Sequence, residues 1–483
     1  MAVLTIVGLT GKDVNIAVLD NGSTENLEDL LDNYVSDWLN FIDEQSPATS
    51  KEFDAVYRQG NQLLTWASII AAPRDTRFGV GVAYEAKVSG RQASGILTSL
   101  VIQTLGIGRD PEHLFDAFTH RLDYHDIYSY ARDASNFDYG KHRELYKALR
   151  EGSERGRAKN GAIYVVASRG RFHPHANSIH TLAVGTIASN DRHLPSAMPC
   201  TATLLVAYSA PVNTTGSTAG TATSMVTGAA ALALQKRPEL TWRDMQYLMM
   251  NSAKQVDLNH TTWTRTFCGR HYSAMYGYGK LDVQELIKQT ASHDLLGPQS
   301  YHVARPDEIQ ANGETRLVYT VTMEMIEKFN GFRVEHVDVA FNVQTQSPNL
   351  KMTLVSPNGF MSQLYAPGQE RHAWGTYGDA MLSLAHWGEP IEGNWTIVLE
   401  NANLQGITPT ITFWGEKCRL GPCHPDLLIY VMLLTDILLI GILLFFVCRF
   451  FMRPIITPPS LSEEFLPAYS PQMHACPPPP YST

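Results

Sequence analysis

Cysteine is scarce: six in 483 residues, at positions 200, 268, 418, 423, 448 and 476. That density excludes a disulfide-dense scaffold, and no paired CxxC motifs stand at metal-ligand spacing. An excess of positive charge is missing as well. Lys and Arg number 38 against 47 Asp and Glu, a formal net charge of −9, which argues against a nucleic-acid binder. Bulk disorder and collagen-like repeats do not fit a chain that is 44% hydrophobic and 18% charged. No signal-peptide pattern is legible either. Met1 runs straight into Ala2-Val-Leu-Thr-Ile-Val7 without a charged or a long apolar region. The expectation is that targeting rests on a C-terminal span, or that the start lies further upstream.

Such a span is the strongest physical signal present. Residues 427–448 are apolar apart from Asp436. As a helix they reach about 33 Å, enough for a hydrocarbon core of about 30 Å. A central Asp costs roughly 2.5–3.5 kcal/mol, while each Leu, Ile, Phe or Val returns roughly 0.3–0.6 kcal/mol, and such residues dominate the stretch. We expect one transmembrane helix. The Pro-rich stretch 449–483 cannot build a core, and reads as a tail. Its end, Pro478-Pro479-Pro480-Tyr481, fits the PPxY ligand of WW domains, which uses a preformed polyproline helix. WW domains are cytosolic, so the tail is expected in the cytoplasm.

The length allows two to four domains. From about 8 to 292, strand-like and helix-like stretches alternate. Apolar runs at 14–19, 162–167 and 179–184 read as buried strands; 96–106, 142–155, 221–236 and 241–254 have helical periodicity. Residues 221–236 are apolar nearly all round and should be internal. Thr241 and Asp244 stand at capping-box spacing. This alternation predicts an α/β domain with a mostly parallel sheet and helices on both faces, ligands gathering at the C-terminal ends of strands, where Asp20 stands. From about 297 to 416 short alternating stretches separated by turns such as Ser356-Pro-Asn-Gly359 predict an all-β jelly roll.

These residues carry a resemblance. Asp20-Asn21-Gly22 after an apolar strand resembles the catalytic-Asp turn of subtilisin-like serine proteases. Gly79-Val-Gly-Val-Ala-Tyr84, Asn177-Ser-Ile-His-Thr-Leu182, Leu240-Thr-Trp-Arg-Asp-Met-Gln246 and Tyr276-Gly-Tyr-Gly279 narrow it to the kexin/furin-like proprotein convertases. Leu354-Val-Ser-Pro-Asn-Gly359, His386-Trp387-Gly388-Glu389 and Gly393-Asn-Trp395 resemble that family's P domain. The resemblance implies a protease-like domain over 1–292, a P domain over 297–416, the span 427–448 and the tail 449–483. It also implies a secretory-pathway membrane location, Golgi, trans-Golgi or cell surface.

A subtilase needs Asp to orient His, His to take the serine proton, Ser to attack and an Asn to hold the oxyanion. Asp20 fits the first role. Counting from the flanking motifs puts the His position at Asn61, the oxyanion Asn at Gly170 and the nucleophile at Gly220. No histidine lies between Asp20 and His113. Ser217 and Ser224 are near Gly220 but out of register, each three or more residues away, which is expected to turn the side chain aside. Ile127-Tyr-Ser-Tyr-Ala-Arg132 stands where the family has acidic residues that bind basic side chains. The expectation is a chain without enzymatic activity, a membrane-anchored homologue that binds clients or active convertases. The alternative is an active kexin/furin-like serine endopeptidase processing proproteins. The family's structural calcium maps onto Asp29 and Asp75, with carbonyls of the 72–79 loop; Arg74 and Arg77 oppose it. Glycosylation sequons stand at Asn213, Asn259 and Asn394, and also at Asn21. Cys418 and Cys423 are candidates for a small disulfide loop. His173, His175 and His180 are expected in a solvated loop rather than on a metal.

Overall fold

A computed structural model describes residues 8–20, 30, 32–33, 39–40, 66–74, 79–92, 111–131, 142–168, 175–209, 218–306, 308–311, 314–328, 332–341, 349–366, 379–401 and 409–417. The helix expected over 96–106, the apolar stretch 427–448 and the tail lie outside the described residues. Among the described residues no helix is long and apolar enough to cross a membrane.

The first body is built on seven strands: β1 (Asn15–Asp20), β2 (Leu39–Asn40), β3 (Lys87–Gln92), β4 (Ile127–Tyr130), β5 (Ile163–Ala167), β6 (Thr181–Ile187) and β7 (Leu205–Tyr208), in the order β2-β3-β1-β4-β5-β6-β7. Every pairing is parallel, with Ile16 opposite both Val88 and Ile127. The helices are α1 (Trp66–Ala71), α2 (Pro111–Thr119), α3 (His142–Arg155), α4 (Thr218–Lys236), α5 (Trp242–Ser252) and α6 (Val283–Ser292). Successive strand residues face opposite ways. Ile16, Val18, Ile163, Val165, Leu182 and Val184 pack into the core that α4 and α5 share. Ala17, Leu19, Tyr128, Tyr164, Val166 and Ala183 pack with residues of α2 and α3. Burial on both faces is why these strands read as unbroken apolar runs.

The Thr241–Asp244 capping box forms as expected: Asp244 N–H donates to Thr241 Oγ1 at 3.1 Å, and Thr241 N–H donates to Asp244 Oδ2 at 2.9 Å. Strand β6 starts at Thr181, two residues after the apolar run begins. Ile179 and His180 form a turn instead, closed by Thr181 N–H donating to Ser178 O at 3.2 Å, and Thr181 Oγ1 donates to His175 O at 2.6 Å. That bond also corrects the solvated-loop expectation. His175 is buried, its ring edge-on to Tyr130 at 5.0 Å. His173 lies outside the described residues.

After a short β8–β9 hairpin (Thr264–Arg265 and His271–Tyr272) comes an antiparallel sandwich. Its strands are β10 (Gln299–Ala304), β11 (Glu308–Ala311), β12 (Thr315–Val321), β13 (Phe332–Phe341), β14 (Lys351–Val355), β15 (Met361–Tyr365), β16 (Asp379–Ser383), β17 (Gly393–Glu400) and β18 (Thr410–Lys417). A six-residue helix, α7 (Met323–Lys328), follows β12. One sheet runs β10-β18-β13-β16, the other β11-β12-β17-β14-β15. Trp395 sits fully buried in this core, its Nε1 donating to Ile391 O at 2.8 Å. Gly359 takes φ 78° where its N–H closes the Ser356 turn at 2.9 Å, a conformation that favours glycine.

The two bodies share a specific seam. Arg243 on α5 grips the Glu335 carboxylate with Nε (2.8 Å) and Nη2, and its Nη1 donates to Gly297 O at 2.6 Å. Leu382 N–H donates to Asn177 Oδ1 at 3.2 Å, and Leu384 N–H to Thr201 O at 3.0 Å. Tyr278 OH donates to Leu384 O at 2.6 Å.

Candidate functional site

In a parallel sheet the C-terminal ends of all strands open on one edge, and that edge is where such folds bind. Asp20 is the last residue of β1, in register with Gln92 of β3. Tyr130 ends β4 and Ala167 ends β5. Ser168, just past β5, is buried, with Oγ 2.7 Å from Thr203 Oγ1. Helix α4 begins nine residues after Ser209 and packs along β4, β5, β6 and β7. The sequence therefore brings the Asp20 end of β1, the end of β5 and the first turn of α4 to one edge.

Gly220 lies in the first turn of α4, buried. A Cβ built on it would stand 2.1 Å from Trp66 Nε1 and 2.2 Å from Trp66 Cε2. The space that a side chain at 220 would need is occupied by the indole of α1. Ser224 lies one turn further along. Residues four apart on a helix share a face, so Ser224 lies on the same face of α4 as Gly220. It is fully buried, and its Oγ has no hydrogen-bond partner among the described residues. It stands about 6 Å deeper along the axis than Gly220. Ser217, Asn61, Gly170 and the 132–141 stretch lie outside the described residues, as do Asp29 and Asp75. Among the described residues no group of three or more His, Cys, Asp or Glu is arranged to hold a metal.

The pocket strand is inward-looking. Ser129 accepts a hydrogen bond from Thr227 Oγ1 of α4 at 2.9 Å, and Tyr130 is packed edge-on against Phe118 at 5.6 Å. Cys200 is a free buried thiol, pushed up in pKa by that burial. Cys268 is disulfide-bonded; Cys418 and Cys423 fall outside the described residues. Asn259 and Asn394 are both exposed, whereas Asn213 lies outside the described residues. The sequence reading missed Trp66. Its signal was present: a bulky aromatic five residues after Asn61, matched by a residue without a side chain at 220.

Comparison with known proteins supplies the context. The subtilase family matches residues 11–279, and the proprotein convertase P-domain matches residues 334–415. The dibasic-processing endoprotease of Yarrowia lipolytica is 30% identical over 443 residues, covering 83% of this chain and 44% of its own length. Kexin of Saccharomyces cerevisiae is 30% identical over 431 residues, 80% of this chain and 50% of its own. Human furin is 28% identical over 456 residues, 87% of this chain and 56% of its own. The chain thus spans about half the length of the curated relatives it matches. The crystal structure of the Aeromonas sobria serine protease with its chaperone shares the fold, with a TM-score of 0.67 at 17% identity over 85% of this chain and 89% of that one. These findings correct the expectation of a chain without enzymatic activity. The subtilase match runs through all seven strands of the parallel sheet, and the Yarrowia relative, which aligns over 83% of this chain, is named an endoprotease. The kexin/furin-like resemblance holds across both domains, and the chain belongs to the subtilase family.

Proposed function

We propose that this chain is a serine endopeptidase of kexin/furin type that cleaves proproteins in the secretory pathway. The observation that supports it is the subtilase match over 11–279 followed in order by the P-domain match over 334–415. In this reading Asp20 holds the orienting role at the end of β1. The in-register positions Asn61, Gly170 and Gly220 supply no imidazole, no amide donor and no hydroxyl, so the attacking group comes from another register. Ser217 fits best. In sequence it immediately precedes Thr218, the first residue of α4, and a helix N-terminus favours a developing alkoxide. Arg132 takes, in sequence, a place where the family has acidic residues, and a positive charge there works against recognition of dibasic substrates.

The test is hydrolysis of basic and non-basic peptides by the purified full-length chain. Ser217→Ala abolishes turnover, because the residual rate of a triad variant rests on the oxyanion hole and Gly170 offers no amide donor to one. Ser224→Ala leaves turnover in place. An inactive wild-type chain, or turnover that survives both changes, overturns the proposal.

The remaining assignments belong to the same reading. The stretch 427–448 anchors the chain in a secretory-pathway membrane, with 1–416 luminal and 449–483 cytosolic. Pro478, Pro479 and Tyr481 offer a WW-domain ligand there. This reading assigns Asp29, Asp75 and carbonyls of the 72–79 loop as the oxygen donors for calcium, which prefers all-oxygen ligands. The luminal placement predicts glycans at Asn259 and Asn394, both exposed. Protein from expressing cells should lose mass on glycosidase treatment, and Asn259→Gln and Asn394→Gln should each remove one step of that loss.

A further inference from the structure

Two histidines stand together on the α/β body, unused by the proposed mechanism. His193 ends the turn that follows β6, three strands from β1 in the sheet, and His260 lies in the loop between α5 and β8. Both are half-buried. Their ring centres are 5.1 Å apart and their planes meet at 81°.

The backbone holds each ring in place. His193 is bridged to Ile187, the last residue of β6, and Ala188 N–H donates to Arg192 O at 2.8 Å. His260 N–H donates to Asp257 O at 2.9 Å. Tyr276 ties the two segments together: its hydroxyl accepts from the His193 N–H at 3.2 Å and donates to Asp257 Oδ2 at 2.8 Å. Trp263 stacks on the Tyr276 ring at 5.5 Å, and its Nε1 donates to Val256 O at 3.0 Å.

The ring nitrogens are engaged on one side only. His193 Nδ1 is 3.0 Å from Leu194 O; a carbonyl only accepts, so Nδ1 carries the proton and Nε2 keeps its lone pair. His260 Nδ1 is held by Thr262, 2.8 Å from its Oγ1 and 3.3 Å from its amide nitrogen. That hydroxyl accepts an Nδ1 proton when Nε2 gives up its own. Neither Nε2 has a hydrogen-bond partner among the described residues. A ring anchored to an oxygen through one nitrogen and open at the other is the arrangement of a metal-binding imidazole. The nearby carboxylates are engaged: Asp257 takes the Tyr276 hydroxyl, and Asp191 takes Lys280 and Tyr208 at 2.7 and 2.6 Å.

We propose that His193 and His260 form a two-histidine site for a divalent transition-metal ion of the zinc and copper class, bound through both Nε2 atoms and completed by water. A metal–nitrogen length of about 2.0–2.1 Å at a tetrahedral angle puts two ring centres roughly 5 Å apart, in accord with the observed 5.1 Å. Imidazole nitrogen suits zinc and copper, whereas calcium takes oxygen. No third His, Cys, Asp or Glu joins the pair among the described residues, so the ion keeps open positions and exchanges with solution. Bound metal links the turn after β6 to the loop before β8.

The test is titration of the full-length chain, purified without a histidine tag and freed of transition metal. Cu²⁺ binding is followed by electron paramagnetic resonance and Zn²⁺ binding by calorimetry. The expected result is a Cu²⁺ signal split by two nitrogens. Zn²⁺ affinity should fall about tenfold or more in His193→Phe and in His260→Phe. Phenylalanine keeps a ring beside Tyr276, so these variants test ligation rather than packing. His271→Gln, which alters an exposed histidine of β9 outside the pair, should leave both readouts unchanged. A chain that binds neither ion, or that keeps its full affinity in either Phe variant, overturns the proposal, the rings then only packing. If one Phe variant does not fold, the other decides alone.

Discussion

Arg243→Ala lowers the stability of the chain by about 3–5 kcal/mol, the range found when one partner of a buried ion pair is removed. Arg243 and Glu335 are both almost wholly shielded from solvent, with side chains 7% and 5% exposed. Burial disfavours the Arg243 charge, yet the Glu335 carboxylate outweighs it and holds the guanidinium above its ordinary pKa. Truncation leaves that carboxylate buried without its cation and takes the donor from Gly297 O as well. The loss is read as a shift of the urea midpoint. The partner experiment separates the pair from its charge. Arg243→Met with Glu335→Leu, an apolar pair of similar volume, should recover most of the stability, because the desolvation cost disappears with the charges. A double variant as unstable as Arg243→Ala would show that the seam depends on the ion pair itself.

Gly220→Ser, the change that would restore a hydroxyl at the in-register nucleophile position, should cost about 1–3 kcal/mol or more by overpacking. The cause is Trp66, whose ring atoms stand 2.1–2.6 Å from where the new Cβ would go. Trp66→Ala on that background should restore part of the loss, so that the two changes couple by more than about 1 kcal/mol in a double-mutant cycle. Thermal melts of the four proteins measure it. Strict additivity would mean that the indole moves aside freely and that position 220 is open to the site.

The glycine at 220 is legible in the sequence; what it means is not. Counting back from Leu240-Thr241-Trp242 identifies the position, and only the packing of α1 on α4 shows an indole filling the space. Ser224 is a similar case. Sequence distance alone does not show what surrounds it, whereas helical geometry puts it on the face of Gly220, buried and without a hydrogen-bond partner among the described residues. The β6 boundary moved because two side-chain-to-backbone bonds of Thr181 compete with the ladder, a choice that apolar periodicity does not encode.

The sequence by itself determined the architecture. Apolar runs bounded by turn residues, a helix apolar all round and a Thr-to-Asp capping box are local patterns, each tied to one backbone geometry, and they agree with one another along the chain. They sufficed for a parallel α/β body, a β-sandwich after it and a resemblance carried by motifs in order. The tertiary structure alone decided what stands against what. Arg243 meets Glu335 92 residues away, His336 meets Gln246 90 residues away, and Trp66 covers Gly220. Pairings of that kind depend on how two bodies dock and which faces they bury. Burial, not sequence, then decides which charges are held and which protons are refused.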